Sequence, residues 1–116
     1  MNIISGLKKQ QISKDCGDHL VKPVKVGICG FGTVGGGTFN VLTQNAAQIA
    51  RRSGREIIIE QVGARRDNAA CDTSNTNITR DIFDVARNPE IDVVVELIGG
   101  YDVAKELVLE AIKNGK

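Results

Sequence analysis

The chain has 116 residues, of which 41% are hydrophobic and 25% are charged, proportions typical of one globular domain. Its 15 basic and 14 acidic residues leave a net charge of +1, so there is no electrostatic case for a nucleic-acid or membrane partner. Aromatic residues make up only 3% of the chain, which also argues against a base-stacking surface.

Residues 1–21 are polar and interrupted, and we interpret them as an N-terminal tail or extension that precedes the domain. They lack the apolar centre of a signal peptide, and no apolar run could span a bilayer, so the sequence predicts a cytoplasmic protein. The three cysteines, Cys16, Cys29 and Cys71, do not have the spacing of a disulfide framework or a metal site. Cys29 lies in an apolar run and is predicted to be a small buried hydrophobe, and His19 is interpreted as an exposed bystander.

The first predicted strand, Val24–Cys29, is a nearly continuous apolar run, as expected when helices cover both faces of a sheet. Gly30, Gly32 and Gly35 follow it in the spacing Gly-x-Gly-x-x-Gly, and this strand–turn–helix setting is typical of dinucleotide binding. The first glycine permits a tight turn, the second lets the backbone approach a pyrophosphate, and the third lets the helix pack closely. The helix N-terminus would offer unpaired N–H groups to the phosphates. A glycine-rich turn without a ligand is the alternative.

The next element is a predicted helix that begins at Thr33 or Val34 and continues to about Arg52. Helical spacing gives it one apolar stripe: Phe39, Leu42, Ala46, Ile49 and Ala50. Gly36 and Gly37 lie in its first turns and should each cost about 1 kcal/mol relative to alanine. We expect these glycines to be tolerated because this end of the helix presses against a cofactor or the sheet.

A second buried strand is predicted over Glu56–Gly63, and a polar loop follows from Asp67 to Thr76. Arg65 and Arg66 lie between them, at the strand end where an NAD site would have an acidic residue for the ribose. Because a guanidinium fork suits a 2′-phosphate better than a diol, we assign both arginines to the adenosine end of NADP. Two solvated surface arginines are the alternative, and Asp67 keeps NAD binding open because it could reach the ribose.

The rest of the chain adds two strands and two helices. A weakly indicated strand at Asn77–Thr79 precedes a brief helix from Asp81 to Asn88, with Asp81 near its cap. Ile91–Ile98 is the strongest predicted strand, and a last helix begins at about Asp102 and ends at Lys113. Its apolar stripe consists of Ala104, Leu107, Val108, Ala111 and Ile112.

This alternation predicts an α/β fold: a partial Rossmann-type parallel sheet of about three to four strands, with helices on both faces, over residues 22–116. Ligands of such sheets bind at the carboxyl ends of the strands. Gly99 and Gly100 lie at that edge and would let the backbone pass the nicotinamide ribose, with a simple strand-ending turn as the alternative. Glu96 lies in an apolar strand, so its carboxylate needs a partner or solvent. No residues are placed for catalysis, and none for metal binding.

The chain resembles the N-terminal NAD(P)-binding domain of homoserine dehydrogenase over residues 22–116. The resemblance is carried by Val24–Gly37, with its Thr-Val-Gly extension of the glycine turn, and by Asn88–Gly100, with an acidic residue before a double glycine. It implies an oxidoreductase that interconverts L-homoserine and L-aspartate 4-semialdehyde with NAD(P)(H), on the route to threonine and methionine. The implied partners are therefore a nicotinamide cofactor and an amino-acid substrate.

The resemblance also implies the cofactor-binding residues, which together with the motif glycines are Gly30, Phe31, Gly32, Thr33, Val34, Gly35, Arg65, Arg66, Gly99 and Gly100. In this family a further strand and a separate domain supply a cofactor lysine, the substrate-binding acids, the catalytic lysine and the dimer interface. The sequence stops at Lys116, before all of these. We therefore expect a cofactor-binding domain, incomplete at its C-terminus and inactive alone, of an enzyme that is a homo-oligomer at full length.

Two alternatives to this interpretation stay open. A dihydrodipicolinate reductase or a relative of glucose–fructose oxidoreductase shares the strand–glycine turn, although the ending Ile98-Gly99-Gly100 argues against both. A non-catalytic nucleotide-sensing Rossmann module is the alternative from a different functional class.

Overall fold

A computed structural model of the chain describes residues 22–116, so the interpretations of the N-terminal tail, Cys16 and His19 lie outside the described residues. The elements are, in chain order, β1 Val24–Cys29, α1 Thr33–Gln44, α2 Ala46–Ser53, β2 Ile57–Gly63, β3 Asn77–Thr79, α3 Ile82–Arg87, β4 Val93–Glu96 and α4 Asp102–Lys113. All the strand pairs are parallel, and the order in the sheet is β3-β2-β1-β4. The α/β Rossmann-type prediction is confirmed.

The strand order determines where a ligand would bind. The chain proceeds from β1 to β2 to β3 in one direction and then crosses to the opposite side of β1 to form β4. The order therefore reverses between β1 and β4, and crevices at such switch points are where open α/β sheets bind ligands. The glycine-rich turn begins directly after β1, at this switch point.

Two cores cover the two faces of the sheet, because successive side chains of β1 point to opposite faces. Val26 and Ile28 belong to the first core, which includes Phe39 of α1. Cys29 belongs to the second core, which includes Leu107 of α4 and these residues of α3 and the following loop: Val85, Ala86 and Ile91. Helices on both faces explain why β1 is apolar along its whole length.

The single helix predicted from the glycine turn to Arg52 is wrong, because α1 and α2 are separated at Asn45. The backbone of Asn45 has φ −107° and ψ 18°, and its Nδ2 donates to the carbonyl oxygen of Val41 at 2.9 Å. The backbone N–H of Asn45 also donates to Val41 O, at 3.1 Å, so the side chain shares this acceptor with the helix. The apolar stripe continues across the break, with Phe39 buried and its other members half-buried.

The strand predicted over Ile91–Ile98 is shorter than expected and less buried. β4 pairs with β1 alone in the described sheet, so it forms an edge and its residues are half-buried. Hydrogen bonds extend the pairing beyond it, from Asp92 N to Lys25 O and from Leu97 N to Cys29 O, both at 2.8 Å. An apolar run predicts burial on both faces of a sheet, and it carries no information about whether a neighbouring strand lies beyond it.

The remaining short elements agree with the sequence. β3 has the predicted bounds, and Asp81 caps α3 by accepting a hydrogen bond from Phe83 N at 3.0 Å. The bounds of α4 are also as predicted. Of its predicted stripe, Leu107 is buried, but Val108 and Ile112 are 42% and 62% exposed. These two side chains line a groove of about 430 Å³ between α4 and β4.

Candidate functional site

A cleft of about 1210 Å³ lies at the carboxyl ends of the strands. It brings together the glycine-rich turn after β1, the residues that follow β2 and β3, and the residues that follow β4. The predicted site residues that line it are Gly30, Phe31, Gly32, Thr33, Arg65, Arg66 and Gly99. Three distant stretches of sequence therefore meet in one cleft, as the fold prediction required.

Gly30 forms the tight turn that the sequence predicts. Its φ of +106° lies in a region that residues with a side chain rarely adopt. A Cβ atom at this position would also lie 2.6 Å from the backbone oxygen of Leu97, which follows β4. The turn is anchored by a hydrogen bond of 2.9 Å from Gly30 N to Gly63 O at the end of β2. Only glycine fits both the conformation and the space.

The turn leaves a cradle open at the beginning of α1. A Cβ atom at Gly35 would collide with the carbonyl oxygen of Gly30, so the first turn of α1 packs directly on the loop. At Gly32, by contrast, a Cβ atom would have no other atom within 4 Å. Gly32 is the N-cap of α1, and no side chain of the described residues caps this helix. The first N–H groups of a helix lack intrahelical partners and carry partial positive charge, so the cradle suits an anion.

Three of the predicted cofactor residues contribute less to the cleft than the resemblance implied. The side chain of Phe31 is only 8% exposed and packs edge-on against Phe39, with ring centroids 5.5 Å apart, so its ring belongs to the core. The side chain of Val34 is 63% exposed and does not line the cleft. Gly100 is exposed outside the cleft lining and has a φ of +94°, which fits a strand-ending turn.

A group of arginines also lines the cleft. Arg65 and Arg66 follow β2 and are exposed. Arg80, which the sequence analysis missed, follows β3 and also lines the cleft. Its guanidinium donates to Asp67 Oδ1 at 2.7 Å and to Ala64 O at 3.1 Å. The signal that could have found Arg80 was its position directly after the weakly indicated third strand.

Asn68 was also missed, and it connects the loop after β2 to the glycine-rich turn. Its Nδ2 donates to the carbonyl oxygens of Phe31 and Gly32, at 3.2 and 3.3 Å. The bonded residues are more than 35 positions apart, so no local sequence pattern indicates the contact. Glu96, which required a partner, finds one nearby: its Oε2 accepts from Ile98 N at 2.8 Å.

The described cysteines are not nucleophiles poised for chemistry. Cys29 is fully buried, and burial, assisted by the charge of Glu96, raises the pKa of its thiol to about 12. Burial also raises the pKa of Cys71, which donates to Gly36 O at 3.4 Å. Within residues 22–116, no three His, Cys, Asp or Glu side chains are grouped to hold a metal ion. None of the helices in that range is long and apolar enough to cross a membrane.

Comparison with known proteins gives a consistent result. The family described as "Homoserine dehydrogenase, NAD binding domain" matches residues 30–116. The homoserine dehydrogenases of Pseudomonas aeruginosa and Methylobacillus glycogenes are 73% and 53% identical over 96 and 98 residues. Each match covers 83% of this chain, and the chain spans only 22% and 24% of those relatives.

The solved structures agree with this result. A homoserine dehydrogenase from Thiobacillus denitrificans matches with a TM-score of 0.73 and 50% sequence identity. The match covers 82% of this chain and 22% of that one.

Proposed function

Because the chain belongs to the family of homoserine dehydrogenase NAD-binding domains, we propose that its cleft binds a nicotinamide coenzyme, with NADP preferred over NAD. The observation that carries the proposal is the cradle at Gly32, where the uncapped N-terminus of α1 faces open space. Such a site fits a diphosphate, because backbone N–H groups bind its oxygens and the helix dipole favours its negative charge. The coenzyme, when bound, supplies hydride transfer at its nicotinamide ring.

Different segments of the chain would bind different parts of the coenzyme. The turn of Gly30, Gly32 and Gly35, with the backbone of Phe31 and Thr33, would bind the diphosphate. Arg65 and Arg66 would bind the 2′-phosphate of the adenosine end. Gly99 and the neighbouring Gly100 would lie on the nicotinamide side. Val34 does not line the cleft, so it would contact the coenzyme only at the edge of the site. This division follows the order in which the strands present these segments at the sheet edge.

The preference for NADP is supported by the surroundings of Asp67. An NAD site needs a carboxylate to accept hydrogen bonds from the ribose hydroxyls. Asp67 is the carboxylate nearest in sequence to Arg65 and Arg66, and its Oδ1 is engaged by Arg80 at 2.7 Å. The lining of the cleft therefore presents the guanidinium groups of Arg65 and Arg66 beside an ion pair of Arg80 and Asp67. Guanidinium groups match the geometry of a phosphate better than that of a diol.

For the protein as a whole, we propose the activity of its relatives: interconversion of L-homoserine and L-aspartate 4-semialdehyde in the biosynthesis of threonine and methionine. We also propose a cytoplasmic, homo-oligomeric enzyme. The sequence provides no paired carboxylates, Ser/His/Asp set or Cys/His set for catalysis in this chain. We therefore propose that these residues hold the coenzyme and do not turn over substrate alone.

Thermal unfolding of the 116-residue chain with NADPH or NADH tests the proposal. A coenzyme present at 100 times its dissociation constant should stabilise the folded chain by about 2.7 kcal/mol. We expect NADPH to raise the unfolding temperature more than NADH at equal concentration. The variant Arg65→Asp should reverse that order, because it replaces a phosphate ligand with a ribose ligand and costs NADPH at least about tenfold in affinity.

Arg52→Ala is the matched control, since Arg52 is an exposed arginine of α2 that does not line the cleft. It should leave both coenzyme shifts unchanged. A larger shift with NADH than with NADPH in the wild-type chain would overturn the assignment of Arg65. The absence of a shift with either coenzyme would overturn the function itself.

A further inference from the structure

We propose that Asn68 is a positioning residue that locks the glycine-rich turn in the peptide orientation that binds a diphosphate. The inference rests on the proposed function. Asn68 lies in the loop after β2, where it is half-buried and lines the cleft beside the turn. It lies 36 residues from Gly32, so the loop reaches the turn only in the folded chain.

Both ends of the Asn68 amide have partners within the protein. An asparagine amide carries two N–H donors and one carbonyl acceptor. The two donors go to Phe31 O at 3.2 Å and Gly32 O at 3.3 Å. The acceptor takes the N–H of Ala70 at 2.9 Å. Asn68 therefore acts on the coenzyme through the turn and not by direct contact.

These bonds determine where the N–H groups of the turn point. A trans peptide unit is planar, so its C=O and N–H point in opposite directions. Holding the carbonyl of Phe31 thus fixes the N–H of Gly32, and holding the carbonyl of Gly32 fixes the N–H of Thr33. The carbonyl of Gly32 also accepts the helical bond from Gly36 N at 2.8 Å, which leaves the Phe31–Gly32 peptide as the one that most depends on Asn68.

That peptide is the one most prone to turn over. Glycine adopts both signs of φ with little steric cost, so a peptide followed by glycine can flip more easily than one flanked by larger residues. A flipped Phe31–Gly32 peptide would present a carbonyl oxygen where the Gly32 N–H had been. An anion would then meet a partial negative charge in place of a donor. The bond from Asn68 opposes this flip.

The loop that carries Asn68 is itself fastened to α1. Asn40 of α1 donates to Ala70 O at 3.1 Å, and Cys71 Sγ donates to Gly36 O of α1 at 3.4 Å. A Cβ atom at Gly36 would collide with Nδ2 of Asn68. Glycine at position 36 therefore leaves room for the side chain of Asn68, and Gly36 also lines the cleft.

Titration calorimetry with three ligands tests the proposal. NADPH and NADH contain a diphosphate, whereas adenosine 2′-monophosphate has the adenosine end alone. Asn68→Ala should lower the affinity for both coenzymes by about fivefold or more, which corresponds to the loss of one hydrogen bond. It should change the affinity for adenosine 2′-monophosphate by less than about twofold. Asn68→Asp keeps the side-chain volume and the acceptor for Ala70 but removes both donated bonds and adds a negative charge beside the turn, so it should bind both coenzymes more weakly than Asn68→Ala does.

The control is Asn88→Ala, which removes a tertiary hydrogen bond of 2.9 Å to Gln61 outside the cleft. It should lower stability and leave all three affinities unchanged. Equal coenzyme affinities in the wild-type chain and Asn68→Ala would overturn the positioning role, as would an equal loss for all three ligands in Asn68→Ala. A wild-type chain that binds adenosine 2′-monophosphate but neither coenzyme would overturn the proposed diphosphate site and the role of Asn68 with it. No binding of any ligand would overturn the proposed function itself.

Discussion

Polar atoms in the half-buried parts of this chain find partners that are close in space, and these partners shape the cleft. Glu96 lies in an apolar strand, and its carboxylate accepts a hydrogen bond from the N–H of Ile98, two positions away. The half-buried Asn68 reaches the glycine turn across 36 positions. Polar groups removed from water need such partners, so each bond also restrains a backbone segment of the site.

Cys29 provides a prediction at this scale. With a pKa of about 12, only about one thiol in ten thousand is ionised at pH 8, and the thiolate is the reactive form. We expect iodoacetamide at pH 8 to modify the half-exposed Cys71 of the native chain while sparing the buried Cys29. In denaturant both should react alike. Peptide mass spectrometry measures the two rates, and equal native rates would contradict the buried environment assigned to Cys29.

At the scale of elements, local sequence patterns predicted the features that depend only on residues close together in the chain. The apolar run of β1, the glycine spacing and the bounds of α4 are all local, and each was predicted from sequence. The break at Asn45 was not predicted, because the apolar stripe has the same spacing on both sides of it. The half-burial of β4 does not follow from its apolar run, because the number of strands beside it is a property of the sheet.

The cap of α3 gives a prediction for an element. This helix is only 6 residues long, and Asp81 satisfies one of its unpaired N–H groups through Phe83 N. Replacing an N-cap aspartate with alanine costs about 1 kcal/mol in the free energy of unfolding. Asp81→Ala should show this loss in urea denaturation, whereas Asp81→Ser should retain most of the stability because serine also caps. Equal stability of the two variants would argue against the capping role.

At the scale of the whole molecule, the cleft is a product of the strand order. Parallel strands and a reversal between β1 and β4 bring the glycine turn, the arginines and Gly99 to one edge. The sequence predicted these segments because each follows an apolar run. It could not predict Arg80 and Asn68 as site residues, since β3 was weakly indicated and the loop contacts are long-range. Sequence motifs therefore identified the position of the site, whereas Arg80 and Asn68 were identified only from tertiary contacts.

The central claim is that backbone N–H groups at the beginning of α1 bind a diphosphate because no side chain occupies the space at position 32. Calorimetric titration of NADPH into the wild-type chain and Gly32→Ala tests it most directly. A Cβ atom at Gly32 meets nothing within 4 Å, so the variant should fold, with a loss of about 1 kcal/mol in the free energy of unfolding because alanine is a poorer N-cap than glycine. We expect it to bind NADPH at least about tenfold more weakly, because the methyl group occupies the cradle and holds the phosphates off the N–H groups. Equal NADPH affinity in the folded variant and the wild type would contradict this claim.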